Sequence, residues 1–225
     1  GIDLDGFDND GKTALTIACE KGDEKLGIKL IEHGANINQP NKYGDTPIII
    51  ASKNFNEKLF LYLIEHGAEV NITDKCGNTP LIIECQNTYR FTIIETLIKY
   101  GADPNIKNIY GSTALIELCK GTYENIDNFL FNNGEQIYKQ DSNGYFGSLI
   151  CWDKRNERMI RYLVEHGADI DACDNDGNTT IKIAENTNKK NIVNYFMKIQ
   201  REKKKKEKKK PKWNFFFINI KKKLS

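Results

Sequence analysis

Residues 44–77 read GDTPIIIASKNFNEKLFLYLIEHGAEVNITDKCG, and this stretch holds one complete copy of a pattern that recurs along the chain. Thr46 is a helix-capping residue type, and Pro47 follows at the first helical position, where a missing N–H is no loss. Leu59, Leu63 and Ile64 lie eight, four and three residues before Gly67. That spacing places three apolar side chains on one helical face. Gly67 then ends the helix at the left-handed position where glycine meets no steric penalty. Moving outward, Gly11, Gly44, Gly77, Gly111, Gly144 and Gly177 are separated by 33, 33, 34, 33 and 33 residues. Gly34, Gly67, Gly101, Gly134 and Gly167 repeat the series. A fixed period of this length marks a stacked array of repeats.

The local signals agree from unit to unit. KTALTIA, DTPIIIA, NTPLIIE, STALIEL and NTTIKIA each place Thr where a helix cap belongs, and a second helix closes in IEHGANIN, IEHGAEVN, IKYGADPN, FNNGEQIY or VEHGADID. The apolar triads are Leu26, Leu30, Ile31; Leu59, Leu63, Ile64; Ile93, Leu97, Ile98; Ile126, Leu130, Phe131; and Met159, Leu163, Val164. Two short helices cannot bury such a face alone, so stability has to come from stacking and the array behaves as one domain.

Over about residues 1–200 this pattern resembles the ankyrin repeat family, with its 33-residue unit, TPLHxA helix start and GADVN hairpin. The resemblance implies an all-α solenoid of helix-turn-helix units joined by β-hairpin-like loops. Units are expected near 8, 41, 74, 108, 141 and 174, after a partial repeat at 1–7. The chain departs from the family where its His would stand, at Thr16, Ile49, Ile82, Ile116, Leu149 and Lys182. In the fifth unit Phe146, Gly147 and Ser148 replace Thr-Pro-Leu, so its first helix is expected to start late, and the third unit has one extra residue between Glu84 and Ile93. Residues 177–200 keep Ile192, Phe196 and Met197 among polar neighbours, as a capping unit would. Gly1 aligns with Gly34, which reads as a chain that opens inside a repeat.

At 225 residues and 39% apolar content the chain can bury a real core. Residues 201–225 carry twelve basic and two acidic side chains, net +10, whereas residues 1–200 carry 21 and 29, net −8. The expectation is an acidic body with a basic, disordered tail at 201–225. No apolar run approaches the ~20 residues that span a bilayer.

Several motifs tempt a catalytic or metal reading. GFDNDGKT (6–13) matches the phosphate-binding pattern G-x-x-x-x-G-K-[ST], which requires a preceding buried strand. Only GIDLD precedes it, and later units carry Asp45, Asn78, Ser112, Tyr145 and Asn178 where Lys12 stands. The match is read as accidental. A calcium loop centred on Gly177 or Gly11 would need acidic ends, and finds Ala172 and Ile183, or Gly6 and Ile17. Cys19, Cys85 and Cys119 share a small core position too widely spaced for disulfides, Cys76 and Cys173 fall in hairpins, and Cys151 lies in the irregular unit. His33, His66 and His166 precede helix-ending glycines, where a cap suits them better than a metal. Glu84 stands where the pattern wants Ala, with Glu117 one repeat later, and is expected to be exposed by local repacking. No cofactor, metal site, catalytic residue or small-molecule substrate is expected, and the location is expected to be cytoplasmic.

The resemblance implies a protein partner held along the hairpin tips and the exposed side of the first helices. The candidates are Tyr43, Asp45, Ile109, Tyr110, Tyr145 and Trp152, of which Trp152 could instead fill space in a degenerate repeat. The tail leaves an alternative open: an acidic membrane surface or nucleic acid bound through its lysines, with Trp213, Phe215, Phe216 and Phe217 as apolar anchors.

Overall fold

The computed structural model describes residues 3–87, 90–121 and 147–209, with the side chains of 87, 147–155 and 207–209 outside the described set. Ten helices lie within these residues. They are α1 (Ala14–Lys21), α2 (Glu24–Glu32), α3 (Pro47–Lys53), α4 (Glu57–Glu65), α5 (Pro80–Asn87), α6 (Phe91–Lys99), α7 (Ala114–Lys120), α8 (Gly147–Glu165), α9 (Thr180–Asn186) and α10 (Lys190–Lys209).

Caps define the short helices. Thr13 and Thr16 form a reciprocal capping box, and the hydroxyls of Thr113 and Thr179 accept from the backbone N–H three residues on. Asp23 and Asn56 cap the second helices in the same way. Thr46 and Arg90 make no side-chain cap bond, and the buried Thr46 hydroxyl has no partner among the described residues. At the other end, Gly34, Gly67, Gly101 and Gly167 all have φ between 89° and 94°. The following Ala35, Ala68, Ala102 and Ala168 donate back to Leu30, Leu63, Leu97 and Leu163 at 2.9–3.0 Å. This closure satisfies carbonyls that a helix end otherwise leaves orphaned.

Helices α1, α3, α5, α7 and α9 contact one another in sequence to form an inner row, and α2, α4, α6, α8 and α10 form an outer row. The seam between rows is a continuous apolar core that includes Leu15, Leu59, Phe60, Leu63, Ile93, Leu97, Leu118, Leu163 and Phe196, each at most 1% exposed. Layers approach closely: a Cβ on Gly27 would lie 2.8 Å from Leu59.

Among the described residues, helix α7 packs against both α9 and α8. A ladder of side chains joins the hairpins. Asp5 accepts from Asn36 N, Asn38 from Glu69 N, Asn71 from Asp103 N and Asn105 from Asp169 N, at 2.7–2.9 Å. The last rung spans 64 residues, twice the interval of the others. In the sequence, Tyr138 occupies the position of Asn38, Asn71 and Asn105. Residues 122–146, including the triad at Ile126, Leu130 and Phe131, lie outside the described residues.

The ends also differ from expectation. Helix α10 continues past residue 200 to Lys209, so the tail is helical there. There Asp171 accepts from Gln200 at 2.6 Å and pairs with Lys203 at 3.2 Å. Met197 is 41% exposed and does not join Ile192 and Phe196 in the core. Leu97→Ala, in the middle layer, is expected to lower the unfolding free energy by about 2–5 kcal/mol. Met197→Ala should stay within about 0.5 kcal/mol; urea denaturation measures both, and equal losses would contradict the seam described here.

Candidate partner-binding surface

Each hairpin is built by one side chain. Asp8, Asn41, Asp74, Asn108 and Asp174 accept through Oδ1 from the backbone N–H groups two and four residues on, at 2.8–3.1 Å. Their own N–H groups donate to the carbonyl four residues later. These Asx turns push the two residues between outward as a tip. The tips are Asn9–Asp10, Lys42–Tyr43, Lys75–Cys76, Ile109–Tyr110 and Asn175–Asp176.

Backbone hydrogen bonds tie neighbouring tips: Lys42 N to Gly11 O, Ile109 N to Cys76 O, and Asn175 N to Tyr110 O, at 2.8–3.0 Å. A Cβ on Gly111 would land on Asn175, so glycine is required for this approach. Tyr43, Ile109 and Tyr110 are 46%, 56% and 60% exposed at these tips. Asp45 is different. It lies below the tip and is engaged by Lys53 at 3.1 Å. Tyr145, Trp213, Phe215, Phe216 and Phe217 lie outside the described residues; Trp152 is within α8, with its side chain outside the described set.

Below the tips, the groove neutralises most of its own charge. Lys12 pairs with Glu20 at 2.6 Å, Lys53 with Asp45 and Asp74 at 3.1 Å, and Lys120 with Glu117 at 3.4 Å while donating to Ser112. A cleft of about 490 Å³ opens between the first two layers beside Asp10, Glu20, Tyr43 and Lys53. The phosphate-binding reading of GFDNDGKT also fails geometrically: the N–H groups of Asp10 and Lys12 are taken by the Asp8 carboxylate, and Lys12 by Glu20.

Nδ1 of His33, His66 and His166 lies 2.7–2.8 Å from the carbonyl four residues earlier. A carbonyl can only accept, so Nδ1 carries the proton and the ring caps the helix end. Among the described residues no cluster of His, Cys, Asp or Glu could hold a metal, and no helix is long and apolar enough to cross a membrane. Burial pushes the thiols of Cys19 and Cys119 up to about 12, which keeps them protonated and unreactive.

Sequence reasoning missed two surface features. Phe55 adopts φ 57° where the corresponding turns use Gly22 and Asn188, and it is 52% exposed. That conformation costs about 1 kcal/mol, offset by stacking on the Arg90 guanidinium 5.3 Å from the ring. On the outer row, Phe91 and Tyr162 meet edge-on at 5.6 Å, with Arg158 over Phe91 at 4.2 Å.

Sequence models of ankyrin repeats match residues 1–74, 63–118 and 150–196. The first is described as three copies and the other two as many copies. The interval between the second and third matches coincides with the step at which α7 passes directly to α9. No curated protein matches the chain.

Glu84 corrects an expectation. It is 1% exposed, not displaced to the surface, and it accepts from Ser52 Oγ and Arg90 Nη2. Glu117 is committed elsewhere, to Lys120 and Gln86, so the two carboxylates do not act as a pair. Burial pushes the Glu84 carboxyl up to about 7, against the opposing pull of Arg90 and Ser52. A raised native pKa gives stability that is complete below the ordinary carboxylate range and lost as pH rises through 7. Between pH 5 and pH 8 the protein should therefore lose on the order of 1–3 kcal/mol relative to Glu84→Gln. Parallel pH profiles of the two proteins by chemical denaturation would contradict this.

Proposed function

The chain belongs to the ankyrin repeat family, and on that premise we propose that it is a non-catalytic scaffold which captures a protein partner along the edge of its hairpin tips. The observation that carries the reading is the row of tips itself. Tyr43, Ile109 and Tyr110 are large, exposed side chains held on turns whose polar groups are satisfied internally. A partner can bury them without breaking any bond of the fold. Aromatic anchors of this kind each contribute about 2 kcal/mol or more when enclosed. In the groove beneath them Lys12, Lys53 and Lys120 are paired with carboxylates, which leaves the exposed tips as the surface open to a partner.

Affinity capture with the full chain tests this. Tyr43→Ala and Tyr110→Ala are expected to weaken retention of the captured partner about tenfold or more, with the melting temperature unchanged. Undiminished capture by the double variant would remove the tips from the interface.

A second reading rests on α10, whose residues 201–206 are all exposed and dominated by lysine. It makes the C-terminal segment an anchor to an acidic membrane surface, with Trp213 and Phe215 to Phe217 entering the interface. Each lysine near such a surface adds about 1 kcal/mol. Flotation with phosphatidylserine-containing liposomes should then fall sharply when residues 201–225 are removed, and equal flotation would exclude the anchor.

A further inference from the structure

The tips differ in charge, and the difference points to the chemistry of the partner. Lys42 and Lys75 reach the ring of Tyr43 from two successive layers, with their ammonium groups 5.1 and 5.2 Å from its centroid. Both lysines are exposed, and among the described residues neither belongs to an ion pair. The groove lysines behave otherwise: Lys12, Lys53 and Lys120 each have a carboxylate partner. Two like charges held near one aromatic ring repel each other, and the ring offsets that only in part. A carboxylate placed near both would offset the repulsion.

The neighbouring tips set the register. Ile109 and Tyr110, one layer beyond Lys75, form an uncharged apolar pair 56% and 60% exposed. The outermost tips carry acids, Asp10 in the first layer and Asp176 in the last, both exposed. Along the edge the order is acidic, basic, basic, apolar, acidic. Layers stand about 10 Å apart and an extended chain rises about 3.3 Å per residue, so one layer corresponds to about three residues of a bound strand.

Building on the tip-edge docking proposed above, we infer that the partner presents an extended acidic segment: a carboxylate seated against Lys42 and Lys75, and an aromatic or aliphatic side chain about three residues away against Ile109 and Tyr110. Asp10 and Asp176 repel an acidic segment displaced toward either end. Charge of opposite sign at the centre and like sign at the rims fixes register more than it adds affinity.

The test is selection of a random-peptide display library on the full chain, repeated on the charge-reversed Lys42→Glu/Lys75→Glu protein and on Tyr110→Ala. Peptides selected on the natural protein are expected to be enriched in Asp and Glu, with an apolar residue three or four positions away. Their affinity should fall at least about tenfold on charge reversal, fall with added salt, and weaken on Tyr110→Ala. The charge-reversed protein should instead select Lys- and Arg-rich peptides. Binders that depend on Tyr110 but are indifferent to the reversal would overturn the acidic partner and leave the docking edge standing. Binders indifferent to all three substitutions would overturn both.

Discussion

The constraint on which everything else depends is that no layer of this protein can bury its own apolar face. A pair of helices seven to nine residues long offers one stripe such as Leu59, Leu63 and Ile64, and that stripe is dry only because the next layer covers it. Apolar burial is the main favourable term in folding, so neighbours must stack in register and the molecule must be elongated. The first layer makes the point by contrast: α2 buries only Gly27, and Leu26 is 42% exposed.

Stacking fixes where polar groups can go. Every hairpin must satisfy its backbone, and one Asp or Asn does much of this at each turn by accepting from two N–H groups. A second column, Asp5, Asn38, Asn71 and Asn105, reaches across to the following hairpin and so aligns the layers as well as the cores. Because this second column acts between layers, it joins the hairpins of Asn105 and Asp169 across some sixty residues of chain. The turn beneath does not need the side chains of Tyr43, Ile109 and Tyr110, which leaves them exposed for recognition.

Electrostatics then separates two regions. Within the groove, lysines and carboxylates meet within and between layers, and in the core Glu84 is tolerated because Arg90 and Ser52 replace the water it has lost. At the tips no such neutralisation occurs around Tyr43. A surface whose internal charges are spent and whose outer charges are not is suited to reading a partner by complementarity.

The periodic glycines, the Thr caps and the apolar triads determined the solenoid from sequence alone, because each reports a local preference that stacking reinforces. Tyr43, Ile109 and Tyr110 were legible for the same reason: position within a repeat dictates exposure. What only the tertiary structure decided depends on contacts between residues distant in the chain. The period is intact in its glycines through 141, yet the described neighbour of α7 in the inner row is α9, and Asn105 reaches Asp169 across 64 residues, because which hairpins and helices meet is settled in three dimensions. Glu84 is buried because Arg90 arrives from the following turn, a pairing that repeat alignment does not register. Helix α10 runs beyond residue 200, where Gln200 and Lys203 meet Asp171 from the preceding hairpin. A repeating pattern states what each unit prefers; the exceptions follow from three-dimensional neighbours, which no single unit contains.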